Sequence, residues 1–82
     1  MIDKTMKVYI VYQTDAWLSY NSRDLIAVCG SHNIAVALTK RHAIKTGEPL
    51  SKDDKFNIEN ISQTQGREFN YHIEEVECNS LL

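Results

Sequence analysis

Five consecutive residues, Val8-Tyr9-Ile10-Val11-Tyr12, are all β-branched or aromatic. Successive strand side chains point to opposite faces, so an unbroken run of this kind predicts a strand covered or paired on both, as in the middle of a sheet. A second apolar run, Leu25-Ile26-Ala27-Val28-Cys29, follows the polar stretch from Gln13 to Asp24. The two runs read as a hairpin whose connection is much longer than the usual two to five residues. That connection holds the chain's one tryptophan, Trp17, together with Tyr20. It is a candidate recognition loop.

After the hairpin the apolar period changes. Gly30-Ser31 ends the second strand, and Ser31 is placed to cap a helix over about 32–46, with Ile34, Ala35, Leu38, His42 and Ile44 as its inward side. Gly47 and Pro49 stop that helix, and Lys40, Arg41 and Lys45 lie near the negative end of its dipole. Ser51-Lys52-Asp53-Asp54 has the form of a capping box with Asp in the acidic position. A short second helix over about 52–61 follows, burying Phe56 or Ile58 with Ile61. Gln63 to Arg67 has neither period and reads as a loop. Phe69, Tyr71 and Ile73 then alternate with Asn70, His72 and Glu74, marking a strand with one wet face. Val76 breaks that phase and is expected at a bulge or edge.

The fold class expected is therefore α+β, in the order ββααβ, as one domain over residues 1–82. With the most apolar strand central, the sheet is three-stranded and antiparallel in the order 2-1-3, with the long and the short helix packed on one face. The second and third strands run parallel on opposite flanks, joined by a crossover. This topology has a consequence for function. The 13–24 loop leaves the end of strand 1 at which strand 3 begins, so Gln63 to Arg67 should stand beside it. Gln13, Thr14, Asp15, Trp17, Tyr20, Gln63, Thr64, Gln65 and Arg67 are then the candidate binding residues, an aromatic anchor surrounded by hydrogen-bonding groups. The competing reading folds Trp17 and Leu18 onto the core as a lid, with Asp15, Ser19 and Asn21 as turn formers.

At 82 residues, folding removes only about 60–65% of the chain's surface from water, which leaves a thin core and little room for an enzyme cleft. No catalytic residues are expected. His32, His42 and His72 are scattered, no nucleophile elbow or phosphate-cradling glycine loop is present, and Glu74-Glu75 and Glu77 read as a solvated edge strand. No metal or cofactor is expected either. Cys29-x-x-His32 and His72-x₅-Cys78 lack zinc-ligand spacing. Strand 1 lies between Cys29 and Cys78, which are then about 9–10 Å apart and too distant for a disulfide.

Charge bears on partners. Residues 1–47 carry six basic groups against three acidic, and residues 48–82 three basic against eight acidic. A domain this small is expected to interleave its halves and cancel the asymmetry. With a pI near 5.8, specific nucleic-acid binding through Lys40, Arg41 and Lys45 is not the expected function. The chain has no apolar run of about 18 residues, and Met1 to Lys7 has no signal-peptide core, so no membrane association and a cytoplasmic location are expected. The second strand carries no acidic guard comparable to that of the third, so self-association through the strand 2 edge is expected.

The set Tyr9-Ile10-Val11-x-Gln13-Thr14-Asp15-x-Trp17-x-Ser19, Ser22-x-x-Leu25-Ile26-x-Val28, Asn60-Ile61-x-Gln63-Thr64-Gln65-Gly66-Arg67 and Ile73-Glu74-Glu75-Val76 resembles a group of short uncharacterised proteins of gut bacteria and their phages. The likeness spans roughly residues 7–77 and departs at Asn33, where the group tends to carry an acidic residue. It implies a small strand-strand-helix-strand domain of unknown function, encoded by a phage or other mobile element. The expected function is a non-catalytic protein-interaction or regulatory module that binds an unknown protein. The alternatives are a small-ligand or nucleotide-binding domain using the 13–24 and 62–68 loops, or a weak nucleic-acid binder.

Overall fold

The computed structural model describes residues 5–79, with side chains from 7 to 77. Met1 to Lys4, part of the segment tested for a signal peptide, and the side chain of Cys78 lie outside them. The elements are β1 (Thr5–Thr14), a single 3-10 turn (Tyr20–Ser22), β2 (Asp24–Cys29), α1 (His32–Lys45), α2 (Lys52–Ile61) and β3 (Asn70–Asn79). The sheet is antiparallel in the order β2-β1-β3, an α+β fold in the order ββααβ. β1, which carries the unbroken β-branched and aromatic run Val8 to Tyr12, is central.

The β1–β3 ladder runs without a shift from Thr5↔Asn79 to Thr14↔Asn70. Val76 pairs regularly with Val8 on an edge strand, so of the two expectations for it the edge holds and the bulge is absent. The irregularity lies instead between β1 and β2, where the register shifts between Val11 and Tyr12. Cys29 is opposite Tyr9 on one flank and Cys78 opposite Met6 on the other, so the backbone register alone holds the two cysteines more than about 9 Å apart.

Both helix starts follow their sequence signals. Ser31 Oγ accepts the Ile34 N–H at 3.1 Å. At α2 the box is reciprocal: Ser51 Oγ accepts from Asp54 N–H at 3.1 Å, and Asp54 Oδ2 from Ser51 N–H at 3.0 Å. α1 ends on Gly47 at φ +89°, whose N–H bonds Ile44 O while Glu48 N–H bonds Ala43 O, both at 3.0 Å. That pair of bonds is the Schellman arrangement, and it needs the left-handed residue that glycine supplies.

The inward faces differ from expectation. α1 buries Ala35, Val36, Thr39 and Ala43, leaving Ile34 and Ile44 exposed. Small side chains let the helix approach the sheet, and Thr39 is tolerated there because its hydroxyl bonds Ala35 O at 2.8 Å. On α2, Ile58 is buried but Phe56 and Ile61 are exposed, and the buried polar residue is Asp54. The core joins Val11, Tyr71 and Ile73 of the sheet to Ala35, Val36, Ala43, Leu50 and Ile58. Tyr71 carries its hydroxyl inward against His42 Nδ1 at 2.7 Å, and burial pushes its phenol pKa up.

Three ion pairs, Lys7–Glu75, Arg23–Glu74 and Lys40–Glu59, each join a base of the first half to an acid of the second. The halves interleave, and these pairs offset part of the sequence asymmetry.

Candidate functional site

The 13–24 connection is folded by its own short polar side chains. The Asp15 carboxylate accepts the N–H groups of Trp17 (3.0 Å) and Ser19 (3.1 Å) on Oδ1 and the Ser19 hydroxyl on Oδ2 (2.7 Å). Ser22 Oγ accepts the Asp15 N–H at 3.0 Å and donates to Ser19 O at 2.7 Å. Leu18, at φ +57°, donates its N–H to Asp15 O and turns the chain. These bonds, the Ser19 hydroxyl first, hold the Asp15 carboxyl below the ordinary aspartate range. The result is an ordered loop with Trp17 on its outside, 83% exposed. Trp17 is not a lid on the core.

The second loop meets the first through Asn70, which is fully buried. Asn70 Nδ2 donates to Ala16 O at 3.3 Å and Arg67 O at 3.2 Å, with Asp15 O at 3.5 Å. Its Oδ1 accepts from Thr64 Oγ1 at 3.0 Å and from Arg67 N–H at 3.3 Å. Residues 62–64 also pair along β3: Ile73 N–H bonds Ser62 O, and Thr64 N–H bonds Tyr71 O. The two polar loops therefore stand side by side, as the strand order required. The alternating sequence placed Asn70 on a wet face. At the strand end that face is roofed by the loops, and a carboxamide, with two donors and an acceptor, fits a gap lined by backbone groups.

Within this edge the nine candidate residues divide. Thr14 and Thr64 are buried and serve the framework: Thr64 accepts Tyr71 N–H at 2.9 Å, and Thr14 donates to Asp15 O at 2.9 Å. Arg67 is a staple. Its guanidinium bonds Asp54 Oδ2 at 2.9 Å, Glu48 O at 2.8 Å and Phe69 O at 3.0 Å, tying the second loop to the starts of α2 and β3. Asp15 organises its own loop. Gln13 and Gln63 are half-buried, whereas Gln65, Trp17 and Tyr20 are exposed.

Tyr20 belongs to a stack absent from the sequence reading. The Arg23 guanidinium lies 4.1 Å from the Tyr20 ring centroid and 5.0 Å from that of Tyr12, with Glu74 at 3.8 Å. Its Nε is buried without a hydrogen-bond partner. Tyr12 and Tyr20 both precede the arginine in sequence, and the stacking depends on how the loop returns.

Beside the loop base lies an open cleft of about 330 Å³, lined by Gln13, Thr14, Asp15, Ser22, Asp24, Thr46, Glu48 and Phe69. Three of these are acids and none is a base, and Trp17 is not among them. No family model, curated protein or solved structure matches this chain. The functional reading accordingly rests on the geometry of this edge. Among the described residues, no three His, Cys, Asp or Glu side chains are grouped to hold a metal ion. Two of the histidines are engaged within the fold, His32 Nε2 with Ser62 Oγ at 3.0 Å and His42 with Tyr71.

Proposed function

We propose that the chain is a non-catalytic protein-interaction or regulatory module that presents Trp17 and Tyr20, with Gln65 alongside on the second loop, to a partner protein. The observation that carries this reading is the contrast between an almost fully exposed indole and the dense bonding of the loop that holds it. A large ring fixed in advance on a convex loop loses little freedom on binding and gains much contact area, the combination found at interface anchors. A ligand site would instead place the indole inside a concavity. The protein is proposed to act in the cytoplasm, and a gene carried by a phage or mobile element agrees with the sequence resemblance. Among the described residues, no helix is long and apolar enough to cross a membrane.

The acidic cleft favours one second reading, a small cationic ligand. Its three carboxylates weigh against a nucleotide or nucleic-acid phosphate, which they would repel. The basic cluster of α1 is also partly neutralised, since Lys40 is held by Glu59 at 2.9 Å. The engagements of His32 and His42 within the fold support a structural rather than catalytic role for those two.

Affinity capture from the native host with the wild-type chain, a Trp17→Ala variant and a Gln65→Ala variant tests the proposal. A partner retained by wild type and lost with Trp17→Ala is expected. Equal capture by both would overturn the assignment of the site.

A further inference from the structure

The sheet has two faces, and the helices cover one. By register, Val11, Ile73 and Ala27 share the helix-covered side, while the other side is a grid of three rows: Leu25–Tyr12–His72, Val28–Ile10–Glu74, and Val8–Val76. Among the described helices and strands, β1 meets only its two partner strands, α1 and the 3-10 turn. The turn lays Arg23 across Tyr12 toward Glu74, with Tyr20 over it, and leaves the rest of the grid open. Leu25 and Val28 are 63% and 58% exposed, and Val8, Ile10, Tyr12 and Val76 are only half-buried. The uninterrupted apolar run of β1 is the pattern of a strand buried on both faces, yet the single chain buries one.

We propose that this open sheet face packs against the same face of a second copy of the chain, an interface separate from the Trp17 edge and independent of its function. Charge fits a copy of itself. Among the described residues, the only full charges on the face are Arg23 and Glu74, already paired at 3.8 Å, so two such faces meet without net repulsion. Glu75 and Glu77, by alternation, point to the opposite side.

Area fits as well. Three strands about 4.8 Å apart and three side-chain rows about 6.7 Å apart span about 14 by 20 Å. Studded with side chains, such a face exposes on the order of 500 Å², and a two-fold pair buries on the order of 1,000 Å², the threshold for a specific, weakly associating interface. The edge of β2 offers less. It has six residues and an irregular register with β1, and short bulged edges pair poorly.

Light scattering and sedimentation equilibrium over about 5–500 µM test the proposal, a span chosen for the micromolar affinities of small interfaces. The wild-type mass is expected to rise from the 9.4 kDa chain toward twice that value. Ile10→Lys, on the central strand where no edge is touched, is expected to hold the mass at one chain. Val28→Lys, at an exposed position and with its fold verified by circular dichroism, should do the same. A wild-type monomer throughout the range would overturn the proposal. So would a dimer that persists in both folded variants, which would place the contact at the β2 edge or elsewhere.

Discussion

Asn70→Ala is the perturbation most revealing of how the candidate edge is built. The substitution deletes a carboxamide with no solvent exposure that bridges both loops. Two of its bonds are of good length, from Thr64 Oγ1 at 3.0 Å and to Arg67 O at 3.2 Å. Two more, to Ala16 O and from Arg67 N–H, are 3.3 Å. With net values near 1 kcal/mol for the shorter bonds and less for the longer, the loss is about 2–3 kcal/mol. A chain of this size has a total stability on the order of 4–12 kcal/mol, so the thermal midpoint should fall by about 10–20 °C. Calorimetry and urea unfolding with an unchanged m-value measure it directly. Asn70→Asp sharpens the test, because it turns a carboxylate oxygen toward the carbonyls of Ala16 and Arg67. Burial and those dipoles raise the folded pKa of the introduced acid, so the variant's deficit should grow as pH rises from 4 to 7. A midpoint shift under about 3 °C for Asn70→Ala, or no pH dependence for Asn70→Asp, would refute Asn70 as the tie between the loops.

Trp17→Ala should leave stability within about 0.5 kcal/mol of wild type by urea unfolding, because the ring contributes no buried contact that folding depends on. Burial alone would raise the Asp54 carboxyl, but the Ser51 N–H, the Arg67 guanidinium and the Ser51 hydroxyl together hold it below the ordinary range. Its contribution is thus fully present above the unfolded value near pH 3.9 and lost as pH falls through the lower folded value. Asp54→Asn should be less stable at neutral pH and show a flatter decline of midpoint below pH 4. Gly47→Ala forces a Cβ into φ +89° and should cost about 1 kcal/mol, a fall of about 4–8 °C in Tm.

Element order, both helix caps and the sheet order were legible because each follows from local rules. Ser31 and the Ser51–Asp54 pair mark helix starts, Gly47 marks an end, and β1 must be central. The convergence of the two loops follows from that order without further information. The inward faces were harder to read. Ala35, Thr39 and Ala43 look weaker than Ile34 and Ile44 on any apolar count, but the distance between helix and sheet selects small residues. Asn70 and Arg67 looked like surface groups because their partners are backbone carbonyls and a capping aspartate, which no pattern of side chains reveals. The same limit explains Thr14 and Thr64, read as recognition groups and found inside the framework. β1 appeared covered on both faces because composition records what a strand can bury, not whether one chain supplies the cover.

The central claim is that residues 15–22 form a prebuilt platform holding Trp17 in solvent. Backbone ¹⁵N relaxation of the free protein tests it most directly. The account predicts order parameters near 0.85 for the Trp17 and Ser19 amides, like those of the strands; values below about 0.6 across Asp15 to Ser22 would contradict it.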